Sequence, residues 1–181
     1  MRRRAKAVNF GIVYGQTAHG LAVELGISRP QAAEYIQRYF ERYRGVELWS
    51  KACLEAARRE GRVRTLLGRV RWLPDLASKN TQLRLFTERA AVNTPIQGSS
   101  ADLIKKAMVN IHRAMSSGRS KRESRLLLQV HDELLFECPK AEAGEFAAWA
   151  KREMESAVEL KVPLVVDLKA GDNWQDMRPS K

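Results

Sequence analysis

Along the first third of the chain the apolar positions recur at helical spacing, about 100° per residue. Over 2–15, Ala5, Val8 and Ile12 fall on one side of such a helix, while Arg2, Lys6, Phe10 and Tyr14 step along the other. A short amphipathic piece, 18–25, ends at Gly26. Ser28 then reads as an N-cap, with Pro30 in the first turn of a helix that runs to about Tyr43 and is closed by Gly45. Its apolar stripe is Ala33, Ile36, Phe40 and Tyr43. A further helix, 46–60, groups Leu48, Trp49, Ala52 and Leu54 and stops at Gly61.

The pattern changes at 62–73, where Val63, Val70 and Trp72 flank Gly68 and predict a small hairpin, followed by a turn at Pro74-Asp75. Helical spacing returns over 80–116, with a break expected at Pro95, because a proline lacks the N–H and crowds the preceding turn. The break leaves Asn93 and Gln97 at a corner, Ser99 or Ser100 as a cap, and Asp102 in the next first turn. A polar linker follows at 116–124, then two apolar strands over 126–137 joined by the two-residue turn His131-Asp132. The end reads as a helix over 141–160, with Phe146, Trp149 and Ala150 inward, and a strand over 162–168. The expected class is α+β: helices over 1–61, then a part over 62–181 with a small antiparallel sheet and a long broken helix.

Composition narrows the classes. With 44% hydrophobic residues and only 11 Gly and 6 Pro in 181, the chain has the makings of a core. No apolar run approaches the ~18 residues of a membrane span. Cys53 and Cys138 share no metal-ligand spacing and suit a reduced, cytoplasmic protein, although a disulfide is also open. The net charge of +11 lies in the first two thirds, since residues 131–181 hold more acids than bases. Such asymmetry favours a polyanionic partner.

Four places carry candidate chemistry. Arg2, Arg3, Arg4 and Lys6 crowd a helix N-terminus whose dipole already favours negative charge. A phosphate chain there, with something flat reaching Phe10 and Tyr14, describes a nucleotide; a solvated basic face is the alternative. A signal peptide fits poorly, because Asn9, Gly11 and Gly15 interrupt the apolar stretch. Asn93 and Gln97 could satisfy the broken backbone or project donors toward base edges in a minor groove. His131, Asp132 and Glu133 crowd the tip of an apolar hairpin, where a lone Asp would ordinarily mean turn geometry. The arginines at 62, 64, 69 and 71 could touch phosphates or simply guard an edge strand.

Arg2-x-x-x-Lys6-x-x-x-Phe10-Gly11-x-x-Tyr14-Gly15 resembles motif B of the family A (polymerase I type) DNA polymerases. Leu128-Gln129-Val130-His131-Asp132-Glu133 resembles their motif C, and Asn93-x-Pro95-x-Gln97-Gly98 resembles the segment between. The three occur in family order, and the likeness runs to the closing Asn173-Trp174. The resemblance implies a fingers helix at 2–15 with Arg2 and Lys6 on the phosphates of an incoming dNTP, Phe10 near its sugar and Tyr14 near the templating base. It implies Asn93 and Gln97 on the primer–template duplex, His131 near the primer terminus, and Asp132 as a ligand of Mg²⁺ in a two-metal phosphoryl transfer. By the same resemblance Lys6, His131 and Asp132 are the catalytic candidates, 1–61 is the fingers, 62–181 is part of the palm, and the location is the bacterial cytoplasm, with the nucleoid.

A two-metal site needs at least two convergent carboxylates. Glu133 is a weak second ligand, because neighbouring side chains on a strand point to opposite faces. The family's other aspartate comes from motif A, and no Asp-x-Ser-x-x-Glu pattern occurs in these 181 residues. The expectation is therefore a C-terminal portion of a polymerase, inactive alone, with the upstream part of the enzyme as its partner. A catalytically inactive DNA-binding remnant and a purely structural basic domain are the other readings. Gln16 and the Ser99-Ser100 pair depart from the family pattern and bear on template contact.

Overall fold

The computed structural model describes residues 2–117 and 123–180, without the side chains of residues 2–4, 6 and 7. Most of the expected linker, 118–122, therefore lies outside the described residues. The chain forms two compact units, Met1–Ser99 and Ser100–Lys181, both mixing helices with short antiparallel strands as the α+β reading requires. This division falls inside a helix, whereas the sequence suggests a boundary at 61/62.

In the first unit α1 (Arg2–Val13), α2 (Ala18–Leu25) and α3 (Arg29–Arg42) enclose a core of Ile12, Leu21, Ala22 and Ala32. Local chemistry sets the ends of these helices. The Thr17 hydroxyl accepts the Gly20 N–H at 3.2 Å, and Gly26 closes α2 in the left-handed region (φ 65). Ser28 and Gln31 form a reciprocal capping box: the Gln31 N–H donates to Ser28 Oγ at 3.4 Å and the Ser28 N–H to Gln31 Oε1 at 3.0 Å. Closure of α3 differs from expectation, because Tyr43 alone leaves helical geometry (φ −116, ψ 55) and Gly45 already lies inside α4 (Arg44–Glu60). The buried stripe is also shifted. Ala32 rather than Ala33 is inward, Tyr39 joins Ile36 and Phe40 while Tyr43 is exposed, and Ala5 of α1 faces solvent.

Gly61 (φ 67) ends α4, and Ala57, Val63, Leu73, Leu76 and Ala91 form a second core with Cys53 and Leu54. The inward face of α4 is thus further along than predicted, and Leu48 and Trp49 are exposed. β1 (Arg62–Arg64) pairs antiparallel with β2 (Val70–Trp72), Val63 opposite Arg71, and a 3-10 turn at Pro74–Ala77 buries Leu76.

The predicted break at Pro95 does not occur: α5 runs from Thr81 to Ser116. Proline 95 cannot donate to the carbonyl four residues back, that of Ala91, which is fully buried. The Cys53 thiol of α4 donates to that carbonyl instead, at 3.3 Å. Thr94 Oγ1 donates to the Ala90 carbonyl at 2.7 Å, and the Ser99 hydroxyl to the Pro95 carbonyl. Ser99 therefore caps nothing; its oxygen accepts the Leu66 N–H at 2.8 Å and ties the β1–β2 loop to α5.

In the second unit β3 (Arg125–Val130) and β4 (Glu133–Glu137) form an antiparallel hairpin with a bulge at Leu127. The Phe136 ring meets Phe146 of α6 (Ala143–Glu155) edge-on at 5.2 Å, and Phe146 lies 5.5 Å from Trp149. Helix α6 is shorter than the predicted 141–160, and 162–168 is not a strand. Its Val166 N–H is taken by the Glu155 carboxylate at 3.0 Å rather than by a neighbouring strand, and pairing begins at β5 (Lys169–Ala170) with β6 (Arg178–Pro179). Both cysteines are free thiols. Among the described residues no helix is long and apolar enough to cross a membrane.

Candidate nucleotide and nucleic-acid site

Helix α1 has no acidic residue in its first turn, so its dipole and its basic start go uncompensated within that turn. The Arg2 and Lys6 side chains lie outside the described residues. Phe10 and Tyr14, one turn apart, stack with ring centroids 5.9 Å apart and planes 26° from parallel, and Phe10 is 44% exposed. The pair offers a flat aromatic surface at the C-terminal end of a basic helix. Beneath it the α1–α2 turn is held by Gln16, whose side chain fills the space a Cβ would need at Gly11 (2.0 Å from Gln16 Oε1) and at Gly20 (3.1 Å from its Cγ). Gln16 Nε2 also donates to Glu24 at 2.9 Å. The departure from the family pattern at position 16 is thus a packing residue of the turn.

The same unit brings part of α5 to the end of α1. A side chain at Gly15 would come within 3.4 Å of Arg89 Cγ, and Arg89, Asn93 and Gln97 then follow at intervals of four along α5. Asn93 and Gln97 therefore share a regular helix face rather than a corner. Gln97 is exposed; Asn93 is half-buried, and its Oδ1 has no hydrogen-bond partner. Arg71 reaches the neighbouring Thr94 Oγ1 at 3.0 Å, so one of the four hairpin arginines joins this face, while Arg62 stacks over Trp72 at 5.4 Å. The sequence reading missed Arg89; its spacing of four from Asn93 is the signal that could have found it.

In the second unit His131 and Asp132 occupy the two-residue turn, with Val130 opposite Glu133. His131 has φ 53, the one non-glycine residue in the left-handed region among those described, and its carbonyl accepts from Gln129 Nε2. All three tip residues are exposed. No three His, Cys, Asp or Glu side chains gather as a cation centre among the described residues. Asp132 and Glu133, on successive positions of a hairpin, do not by themselves fit a Mg²⁺ centre.

The family model for DNA polymerase family A matches residues 1–176. The chain belongs to DNA polymerase family A. It is 51% identical to DNA polymerase I of Bacillus caldotenax over 178 residues and 48% identical to that of Bacillus subtilis (strain 168), covering 98% of this chain but 20% of each relative. The chain thus spans about a fifth of the length of these relatives. Among solved structures it is similar to the POL domain of Pol1 from M. smegmatis in complex with DNA primer-template and dNTP. That match has a TM-score of 0.84 and 47% identity, over 90% of this chain and 28% of the other.

Proposed function

We propose that the chain serves template-directed DNA synthesis, the transfer of a nucleotidyl group from a dNTP to a primer 3′-hydroxyl. The observation that carries this is the stacked Phe10–Tyr14 pair, with Phe10 exposed and Tyr14 half-buried, on a basic helix, in a chain nearly half identical to a polymerase domain described with primer-template and dNTP. In this reading 1–61 acts as fingers and 62–181 as part of the palm. Arg2 and Lys6 hold the triphosphate, which a helix N-terminus favours. Phe10 packs on the sugar and Tyr14 on the templating base, while Asn93 and Gln97 offer amide donors and acceptors to the minor-groove edges of the duplex. His131 lies at the primer terminus, with its strained backbone fixing the hairpin tip.

The chemistry that Mg²⁺ would supply is neutralisation of phosphate charge. Asp132 would offer it one carboxylate; Glu133 is a poor second, and the described residues complete no such centre. Their own work is to bind and align the nucleotide and the primer.

The test is binding of fluorescent primer-template by the 181-residue chain, titrated with salt and with dNTP. Duplex affinity should fall with salt, rise on adding the dNTP complementary to the template, and lose that increment in Phe10→Ala. Binding indifferent to nucleotide would leave only a DNA-binding module. Primer extension should require the upstream polymerase portion in trans and vanish in Asp132→Asn; extension by these residues alone would overturn the inference that they lack a second carboxylate.

A further inference from the structure

A groove of about 570 Å³ runs between α1 and α3, away from the stacked Phe10–Tyr14 face. Tyr35 and Tyr39 of α3 and Tyr43 at its C-terminal end line it at intervals of four residues, about 12 Å in all at helical rise. Tyr35 and Tyr43 are 46% and 48% exposed, whereas Tyr39 between them is fixed: its hydroxyl donates to Asn9 Oδ1 at 2.8 Å and its ring lies 4.8 Å from that of Tyr43. Arg38 and Arg42 line the same groove one turn apart. Arg38 pairs with Glu34 at 2.6 Å, but both side chains are more than half exposed, so exchange of that carboxylate for a phosphate costs little. Arg42 makes no ion pair among the described residues.

We propose that this groove binds single-stranded DNA, as a contact separate from the primer-template site, and holds the unpaired template. Aromatic faces alternating with cations are what a sequence-tolerant single-strand site requires: bases stack on the rings and phosphates meet the guanidiniums. An apolar polypeptide helix in the same place would leave Arg42 without a counter-charge. The template assignment rests on the polymerase reading, but binding of a single strand does not.

The experiment measures fluorescence anisotropy of labelled oligo-dT and, separately, of blunt duplex with the 181-residue chain. The variant pair Tyr35→Ala and Tyr43→Ala should weaken oligo-dT binding by about 20-fold or more, from the loss of two stacking contacts. Tyr35→Phe with Tyr43→Phe, which keeps the rings, should bind like the parent. Arg42→Ala should lower the salt slope for oligo-dT by about 0.7, and blunt-duplex affinity should not change in the tyrosine variants. The proposal is overturned if the alanine pair binds oligo-dT as the parent does, if the phenylalanine pair loses as much as the alanine pair, or if the parent binds no oligo-dT; the groove would then belong to a polypeptide partner. Failure of the polymerase reading appears separately, as absence of nucleotide-dependent duplex binding while the oligo-dT result stands.

Discussion

The continuity of α5 through Pro95 depends on a thiol 42 positions earlier in the chain, and that dependence can be measured. Cys53→Val keeps the side chain's bulk but removes the thiol that donates to the Ala91 carbonyl, which no water reaches because Ala91 is 0% exposed. A buried acceptor left unpaired costs about 1–3 kcal/mol, and a thiol is a weak donor, so the expected loss is near 1 kcal/mol. Pro95→Ala returns an N–H to position 95, within reach of the same carbonyl by ordinary helical geometry. In that background Cys53→Val should cost close to nothing beyond packing. The two substitutions should therefore couple by about 1 kcal/mol, or roughly 2–4 °C in melting temperature. Urea unfolding of the parent, both single variants and the double variant gives the number directly. Equal costs of Cys53→Val with and without Pro95 would show that the thiol does not stand in for the missing amide.

Gly98→Ala should destabilise by about 1–3 kcal/mol, because its Cβ would meet the Thr65 methyl at 2.6 Å and Thr65 is buried; Thr65→Ser, which removes that methyl, should restore most of the loss in thermal melts. His131→Gly should raise stability by about 0.5–1 kcal/mol by relieving the left-handed backbone, while lowering affinity for primer-template; a variant less stable than the parent would refute the strain. Burial pushes the Cys53 thiol above its ordinary value of 9.0, so the unfolded chain releases that proton first. Stability should be fully present below pH 9 and decline above it, until the folded thiol also ionises. Cys138, raised by burial and then by Glu142, and Tyr39, raised by burial and then by Tyr43, shift in the same direction. Chemical unfolding against pH should therefore show a decline that Cys53→Val makes shallower without abolishing it.

The parts of the fold that could be read from the sequence are those decided within a few residues. Ser28, Gly26 and Gly61 are local switches, and the structure uses each at the position read. The turn at His131-Asp132 belongs with them, since two polar residues between apolar strands leave little other choice. Readings failed where a distant group intervened. Pro95 is a reliable breaker only if nothing else takes up the orphaned carbonyl, and Cys53 does. Val162 to Leu168 has strand composition, yet Glu155 takes the Val166 amide. For the site, the rings of α1 and the residues of the hairpin tip could be named from spacing, whereas Arg89 beside Gly15, the Arg71–Thr94 contact and the bond between Tyr39 and Asn9 depend on how helices and hairpin meet.

The bulge at Leu127 divides the β3–β4 hairpin into two lengths of ladder that keep separate register. Between it and the turn, three residue pairs hold His131 and Asp132 at a set distance and on a set face. A residue gained or lost on one strand in this stretch would turn every following side chain to the opposite side. On the other side of the bulge, at Arg125 and Leu126, the strands can change length or composition without moving the tip. This hairpin should tolerate insertions toward its open end and none near its turn, so that the permitted variation in chain length is set by a single unpaired leucine.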